Sequence, residues 1–130
     1  MNYNLAIIGG GPAGYDAAAT AAKKGLSVVL FEKSALGGTC LNVGCIPTKT
    51  LLYSSKLYYN AVNGSKYGVK VENPTFEYDK IVSRKNKIIR KLNAGIRSKM
   101  TNNNVTVITG SANVLNNENG IITISCGEEQ

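Results

Sequence analysis

Leu5-Ala6-Ile7-Ile8-Gly9-Gly10-Gly11-Pro12-Ala13-Gly14 stands close to the start of the chain, and how it is read decides the fold. The four apolar residues read as a short buried strand that runs into a glycine turn. Pro12 to Lys24 is rich in alanine and reads as a helix, with Pro12 tolerated in the first turn, where its missing N–H breaks no bond, and Gly25 as the stop signal. Ser27 to Phe31 reads as a second strand. Strand, helix and strand follow one another within about thirty residues, so the two strands are expected to run parallel with a right-handed crossover.

Gly9, Gly11 and Gly14 occupy the glycine positions of G-x-G-x-x-G. Gly9 permits the tight turn off the strand, Gly11 leaves the backbone open to a pyrophosphate, and Gly14 lets the helix pack close to the sheet. Pro12 and Ala13 lie between them in the first turn of the helix, where free amides and the helix dipole face an anion. Glu32, at the end of the second strand and about twenty residues on, is placed to accept hydrogen bonds from a ribose diol. Glycine turns also occur for structural reasons alone, and an acidic strand end is often only solvated. Here the strand, turn, helix and acid agree, and together they point to a dinucleotide site. They do not discriminate a nicotinamide dinucleotide from FAD.

Further along, a helix is expected from about Val43 or Ile46 to Tyr59, then a loop over Asn63 to Asn73, then a long helix from Tyr78 to Met100 ended by Asn102-Asn103-Asn104. Val105 to Thr109 reads as a third strand, and Val114-Leu115 with Ile121 to Ser125 as a hairpin joined by Asn116 to Gly120. The expected fold is therefore α/β: a Rossmann-like domain with a parallel sheet and an antiparallel hairpin appendage, spanning 1–130. With 43% apolar and 18% charged residues the composition is that of a globular domain, not of a disordered chain. The formal charge of +7 raises the question of nucleic acid. Eight of the fifteen basic residues lie between Lys80 and Lys99, opposite a stripe of Ile81, Ile88, Leu92, Ile96 and Met100, with no interleaved aromatics. That is a helix with a solvated basic face, so no nucleic-acid partner is expected. No apolar run is long enough to cross a bilayer and no basic leader precedes Leu5, so the expectation is a cytoplasmic protein without a membrane partner.

Three cysteines without a secretory leader do not suggest a disulfide scaffold, and a close pair in a reducing compartment points to redox or metal chemistry. Gly37-Gly38-Thr39-Cys40-Leu41-Asn42-Val43-Gly44-Cys45-Ile46-Pro47-Thr48-Lys49 carries that pair. Four intervening residues can bring two sulfurs together if the turn is distorted, and Gly44 is expected to supply the backbone freedom. The thiols fall near a helix start, where the dipole favours the nucleophilic thiolate. A metal site usually wants four ligands, and the chain has no histidine to complete one, so no metal is expected. Two unrelated buried cysteines are the remaining reading of the spacing alone.

The stretch Gly37 to Lys49 matches G-G-x-C-x-N-x-G-C-x-P-x-K throughout, and with it the chain resembles the class I pyridine nucleotide–disulfide oxidoreductases. Within that family, Cys40 to Lys49 looks most like the dihydrolipoamide (dihydrolipoyl) dehydrogenases; glutathione and mercuric reductases more often have Val after the first cysteine. The resemblance implies that Gly9, Gly11 and Gly14 hold the FAD pyrophosphate, that Glu32 and Lys33 face the adenosine, and that Gly38 and Thr39 line the flavin side. It implies a redox disulfide between Cys40 and Cys45, with Cys45 against the flavin as the charge-transfer thiolate and Cys40 exchanging with the substrate. Lys49 would tune the ring electrostatically, and Ala112 would pass near the adenine end. Dihydrolipoamide would reduce the disulfide, the dithiol FAD, and FAD in turn NAD. The implied partners are the lipoyl group of a 2-oxo acid dehydrogenase complex or of the glycine cleavage system, and a second copy in a homodimer. Members of the family are several times longer, with an NAD domain, an interface domain and a His–Glu base. By the resemblance, then, the chain is an incomplete amino-terminal segment whose closing strand would lie beyond Gln130. The alternatives are an FAD-binding thiol module without turnover, or another flavin disulfide reductase. Cys126 has no partner by spacing and reads as a small apolar residue.

Overall fold

The computed structural model describes residues 1–127. Three parallel strands, β1 (Leu5–Ile8), β2 (Val28–Glu32) and β3 (Thr106–Thr109), form one sheet with β2 in the middle. Pairing runs from Leu5 opposite Val28 to Ile8 opposite Phe31 on one side, and from Val29 opposite Thr106 to Glu32 opposite Thr109 on the other. A central parallel strand is covered on both faces, and Val-Val-Leu-Phe has the unbroken apolar run that this requires. Val28, Val29 and Leu30 are at most 2% exposed.

Helix α1 (Pro12–Lys23) packs on β2 through Ala18 and Ala19, both buried, whose small side chains allow a close approach. A long fourth helix, α4 (Tyr78–Asn102), closes the core from its C-terminal half with Ile96 and Met100. Between them lie a five-residue helix α2 (Gly38–Asn42), the helix α3 (Cys45–Val62) and a 3₁₀ turn at Gly64–Tyr67. A two-stranded antiparallel hairpin, β4 (Ala112–Glu118) and β5 (Ile121–Cys126), follows β3 as the expected appendage. No helix among the described residues is long and apolar enough to cross a membrane.

Several expectations shift in detail. The first strand is only half buried: β1 is an edge strand, and Ile8 is 53% exposed. Strand β2 starts at Val28 because Ser27 is held by Asn4, whose side-chain carbonyl accepts the Ser27 amide at 2.9 Å. The stripe on α4 turns away from Leu92, which is 39% exposed; Asn93 faces inward in its place, and Ile89 packs on the core beside the half-buried Ile88. The hairpin connection is two residues, not five, because Asn119 (φ 52°) and Gly120 (φ 79°) make the left-handed turn that Asn-Gly favours. Asn103 and Asn104 end α4 as expected, Asn103 through a 2.7 Å bond from its side-chain amide to the Lys99 carbonyl and Asn104 through a φ of 55°.

Candidate functional site

The glycine turn joins the end of β1 to the start of α1. Gly9 turns the chain with a φ of 105°. A side-chain carbon at Gly14 would fall 1.9 Å from the Gly9 carbonyl oxygen, so the helix rests on the turn itself. A carbon at Gly10 would meet Leu36 Cδ2 at 2.7 Å and Glu32 Oε2 at 3.1 Å. At Gly11 the nearest atom is 4.0 Å away, so the space above this residue is open. Gly9, Gly11, Pro12, Ala13 and Gly14 line one hollow together with Ile7, Ile8 and Ala17.

Glu32 reaches this turn from the end of β2. Its Oε2 accepts the Gly10 amide at 2.7 Å, and its Oε1 accepts the Ser34 amide at 2.8 Å. Burial works against ionisation of this carboxyl, but the amides of Ser34 and Gly10, the Ser34 hydroxyl and the neighbouring Lys33 charge outweigh it and hold its pKa below the usual carboxylate value. Lys33 itself is exposed. Ala112 opens β4 opposite Cys126, and its strand is tied to the same place by the Gly110 amide, which donates to the Glu32 carbonyl at 3.0 Å. Cys126 packs in the space that Gly110 leaves: a carbon there would lie 2.5 Å from its sulfur.

The segment carrying the thiols is built directly onto the glycine turn. The Gly37 amide donates to the Gly10 carbonyl at 2.7 Å, and Gly38 lies so close to Gly11 that a side-chain carbon on it would be 2.9 Å from the Gly11 Cα. Left-handed φ angles of 94° at Gly37 and 60° at Gly38 bend the chain into α2. Cys40 lies within α2, and Cys45 is the first residue of α3, so the pair falls at a helix start, as expected, and spans the junction of two helices. Gly44 has φ −118° and ψ −108°, neither helical nor extended, and a side-chain carbon there would sit 3.0 Å from the Thr39 carbonyl and 3.3 Å from the Cys40 Cα. The expected backbone freedom and close approach both fit glycine to this turn.

All three cysteines are free thiols, with Cys45 exposed and Cys40 half-buried. The pairing of its thiol with that of Cys45, then burial and the Cys45 charge, push the Cys40 pKa up against the opposing effects of the Cys45 amide and the Lys49 charge. Lys49 lies one turn beyond Cys45 on α3 and is exposed, as is Thr39, whose carbonyl accepts the Val43 amide at 3.0 Å. Gly10, Leu36, Gly37 and Asn42 also shape this site although the sequence reading gave them no role in it. Gly10 falls in a variable position of the fingerprint, and its signal lies in being the middle of three consecutive glycines.

The pyridine nucleotide-disulphide oxidoreductase family matches residues 3–127. The chain belongs to that family. The dihydrolipoyl dehydrogenase of Zymomonas mobilis is 40% identical over 129 residues, which cover 99% of this chain and 28% of that protein. A dihydrolipoyl dehydrogenase of Bacillus subtilis is 41% identical over 127 residues, covering 96% of this chain and 28% of that protein. Among solved structures, the HOCl-induced flavoprotein disulfide reductase RclA of Escherichia coli superposes with a TM-score of 0.73 at 32% identity, over 97% of this chain and 26% of that one. The chain thus spans between a quarter and a third of the length of these relatives, and as a family member it carries both the glycine fingerprint and the paired cysteines.

Proposed function

We propose that this chain is the FAD- and disulfide-bearing portion of a dihydrolipoamide dehydrogenase. The observation that carries the reading is the physical union of the two motifs: Gly37 bonds to Gly10 at 2.7 Å and Gly38 lies against Gly11, so the thiols are mounted beside the dinucleotide cradle. The cradle fits FAD, because the open space at Gly11 lies at the start of α1, whose first N–H groups, past Pro12, are those of Ala13 and Gly14, and an ionised Glu32 is bonded to the neighbouring Gly10 amide. Gly9, Gly11, Pro12, Ala13 and Gly14 would hold the pyrophosphate. Glu32, with Lys33 and Ala112 nearby, would take the adenosine, and Gly38, Thr39, Cys45 and Lys49 the flavin end. Once bound, FAD would supply a two-electron acceptor for the dithiol, with NAD⁺ as the final oxidant.

This chain's own residues perform the thiol–disulfide exchange. A dihydrolipoamide thiolate attacks Cys40 Sγ in the oxidised pair; the Cys40–Cys45 bond breaks, and its electron pair leaves on Cys45 Sγ. The second substrate thiolate then attacks the first substrate sulfur, which closes lipoamide and releases Cys40. The protons of the two substrate thiols go to solvent before attack, and Cys40, its pKa raised, takes one back from solvent as it leaves. A lipoyl-bearing 2-oxo acid dehydrogenase complex or glycine cleavage system, a homodimeric assembly and a cytoplasmic setting belong to the same reading.

The test is peptide mapping. In the oxidised chain Cys40 and Cys45 resist alkylation, addition of dihydrolipoamide exposes both, and Cys126 labels throughout. A native bridge that includes Cys126 sinks the assignment. Relatives at about 40% identity named dihydrolipoyl dehydrogenase favour this substrate over that of another disulfide reductase.

A further inference from the structure

Asn42 lies between the two cysteines, and its side chain has a fixed orientation. Its Nδ2 donates to the Leu36 carbonyl at 3.0 Å and to the Gly38 carbonyl at 2.9 Å. Turning the amide over would set its oxygen against two carbonyl oxygens, so Oδ1 must face the other way. There it accepts Nδ2 of Asn93 at 2.7 Å, across 51 residues of sequence. Asn93 stands on the inward face of α4 between Ile89 and Ile96, both packed on the core, where an apolar residue would ordinarily serve. Asn42 needs a donor at that point, and an ionised carboxylate, of the same size, would offer only an acceptor.

We infer that Asn93 is a positioning residue for the Cys40–Cys45 couple, acting through Asn42; the inference rests on the redox reading of that pair. The segment 36–42 carries Cys40, while Cys45 is anchored separately as the start of α3. Asn42 clamps the segment onto itself, and Asn93 clamps it to the rigid core-packed helix. In the dithiol form this is the side-chain hydrogen bond, among the described residues, that joins Asn42 to α4, beside the apolar anchors Leu36 and Leu41, whereas in the disulfide form the S–S bond holds the loop in any case. Loss of the Asn93 bond therefore frees the dithiol more than the disulfide, and that freedom must be surrendered on oxidation. Variants of Asn93 should have a less stable disulfide.

The experiment equilibrates the purified chain in glutathione redox buffers, traps thiols by alkylation, and measures the Cys40–Cys45 equilibrium by mass spectrometry, with far-ultraviolet circular dichroism as a check on the fold. Asn93→Asp is expected to lower the equilibrium constant for disulfide formation about tenfold, which corresponds to a potential about 30 mV less reducing. Asn93→Ala should do the same and serves if the aspartate variant does not fold. In an Asn42→Ala background either substitution should have no further effect, because the partner through which Asn93 acts is gone. An unchanged constant in the folded Asn93 variants, or an equal added effect in the Asn42→Ala background, overturns the inference while leaving the redox pair intact. A wild-type chain that forms no Cys40–Cys45 disulfide in any buffer overturns the redox reading and this inference with it.

Discussion

A methyl group added at Gly11 meets open space, whereas one added at Gly14 falls 1.9 Å from the Gly9 carbonyl. Gly11→Ala should therefore fold with a melting temperature close to wild type and yet lose FAD on gel filtration, since the space it fills is the one assigned to the pyrophosphate. Gly14→Ala should be destabilised by about 1–3 kcal/mol or more in urea unfolding, because helix and turn must move apart. Retained flavin in Gly11→Ala would remove the cradle from the binding site. The thiols allow a second prediction of this kind. Cys40 is less exposed than Cys45, and its raised pKa leaves less thiolate at any given pH, so iodoacetamide should label Cys45 first in the reduced chain. The Cys40 labelling rate should keep rising above the pH at which an ordinary thiol levels off. As the pairing with Cys45 is the largest cause of the shift, Cys45→Ala should bring that midpoint back down. An unmoved midpoint would show that the two sulfurs do not share a proton.

Helix α4 shows what periodicity can and cannot tell. Met100, 1% exposed, and Leu92, 39% exposed, sit on what the sequence presents as one stripe. Met100→Ala should cost about 2–5 kcal/mol of unfolding free energy, and Leu92→Ala much less; equal losses would mean the helix is rotated from its described position. The stripe misleads because a straight helix drifts against a short repeat, and because Asn93, a polar residue, holds an inward place that apolar spacing cannot reveal. Elsewhere the elements were legible for physical reasons: β2 is apolar from Val28 to Phe31 because both its faces are covered there, and α1 is alanine-rich because it must approach that strand closely. The helix α2 was not legible. Its five residues hold their shape through the left-handed Gly37-Gly38 bend and the Asn42 side chain, and neither leaves a periodic trace. Of the candidate site, the glycines, Glu32 and the cysteine pair could be read from the chain, whereas the contact between the two motifs could not, since it is made by backbone atoms of Gly10, Gly11, Gly37 and Gly38.

The accessible surface is 9414 Å², against about 6,600 Å² for a compact monomer of this mass. Much of the excess is apolar: Leu52, Tyr53, Leu57 and Tyr59 on α3, Ile8 on β1, and Val114, Leu115, Ile121 and Ile122 on the hairpin are each more than half exposed. Apolar area on this footing favours association, so the purified chain should bind a hydrophobic dye and elute ahead of its monomer volume. The same 130 residues contain no histidine and a single glycine fingerprint. They therefore lack the usual base for a thiol near neutral pH and a second cradle for a nicotinamide. With excess FAD, dihydrolipoamide and NAD⁺, the chain alone should form no NADH above the flavin-only control; steady turnover would show that these parts are dispensable. The placing of β2 between its neighbours also has a consequence during synthesis. Val29 pairs with Ala6 behind it and with Thr106 ahead of it, and 77 residues separate it from the second partner. At ribosomal speeds of about 5–20 residues per second, that edge waits about 4–15 s for its cover. A nascent chain thus carries Val-Val-Leu-Phe with one rim open for seconds, and it is in that interval that the polypeptide most needs a chaperone's hold.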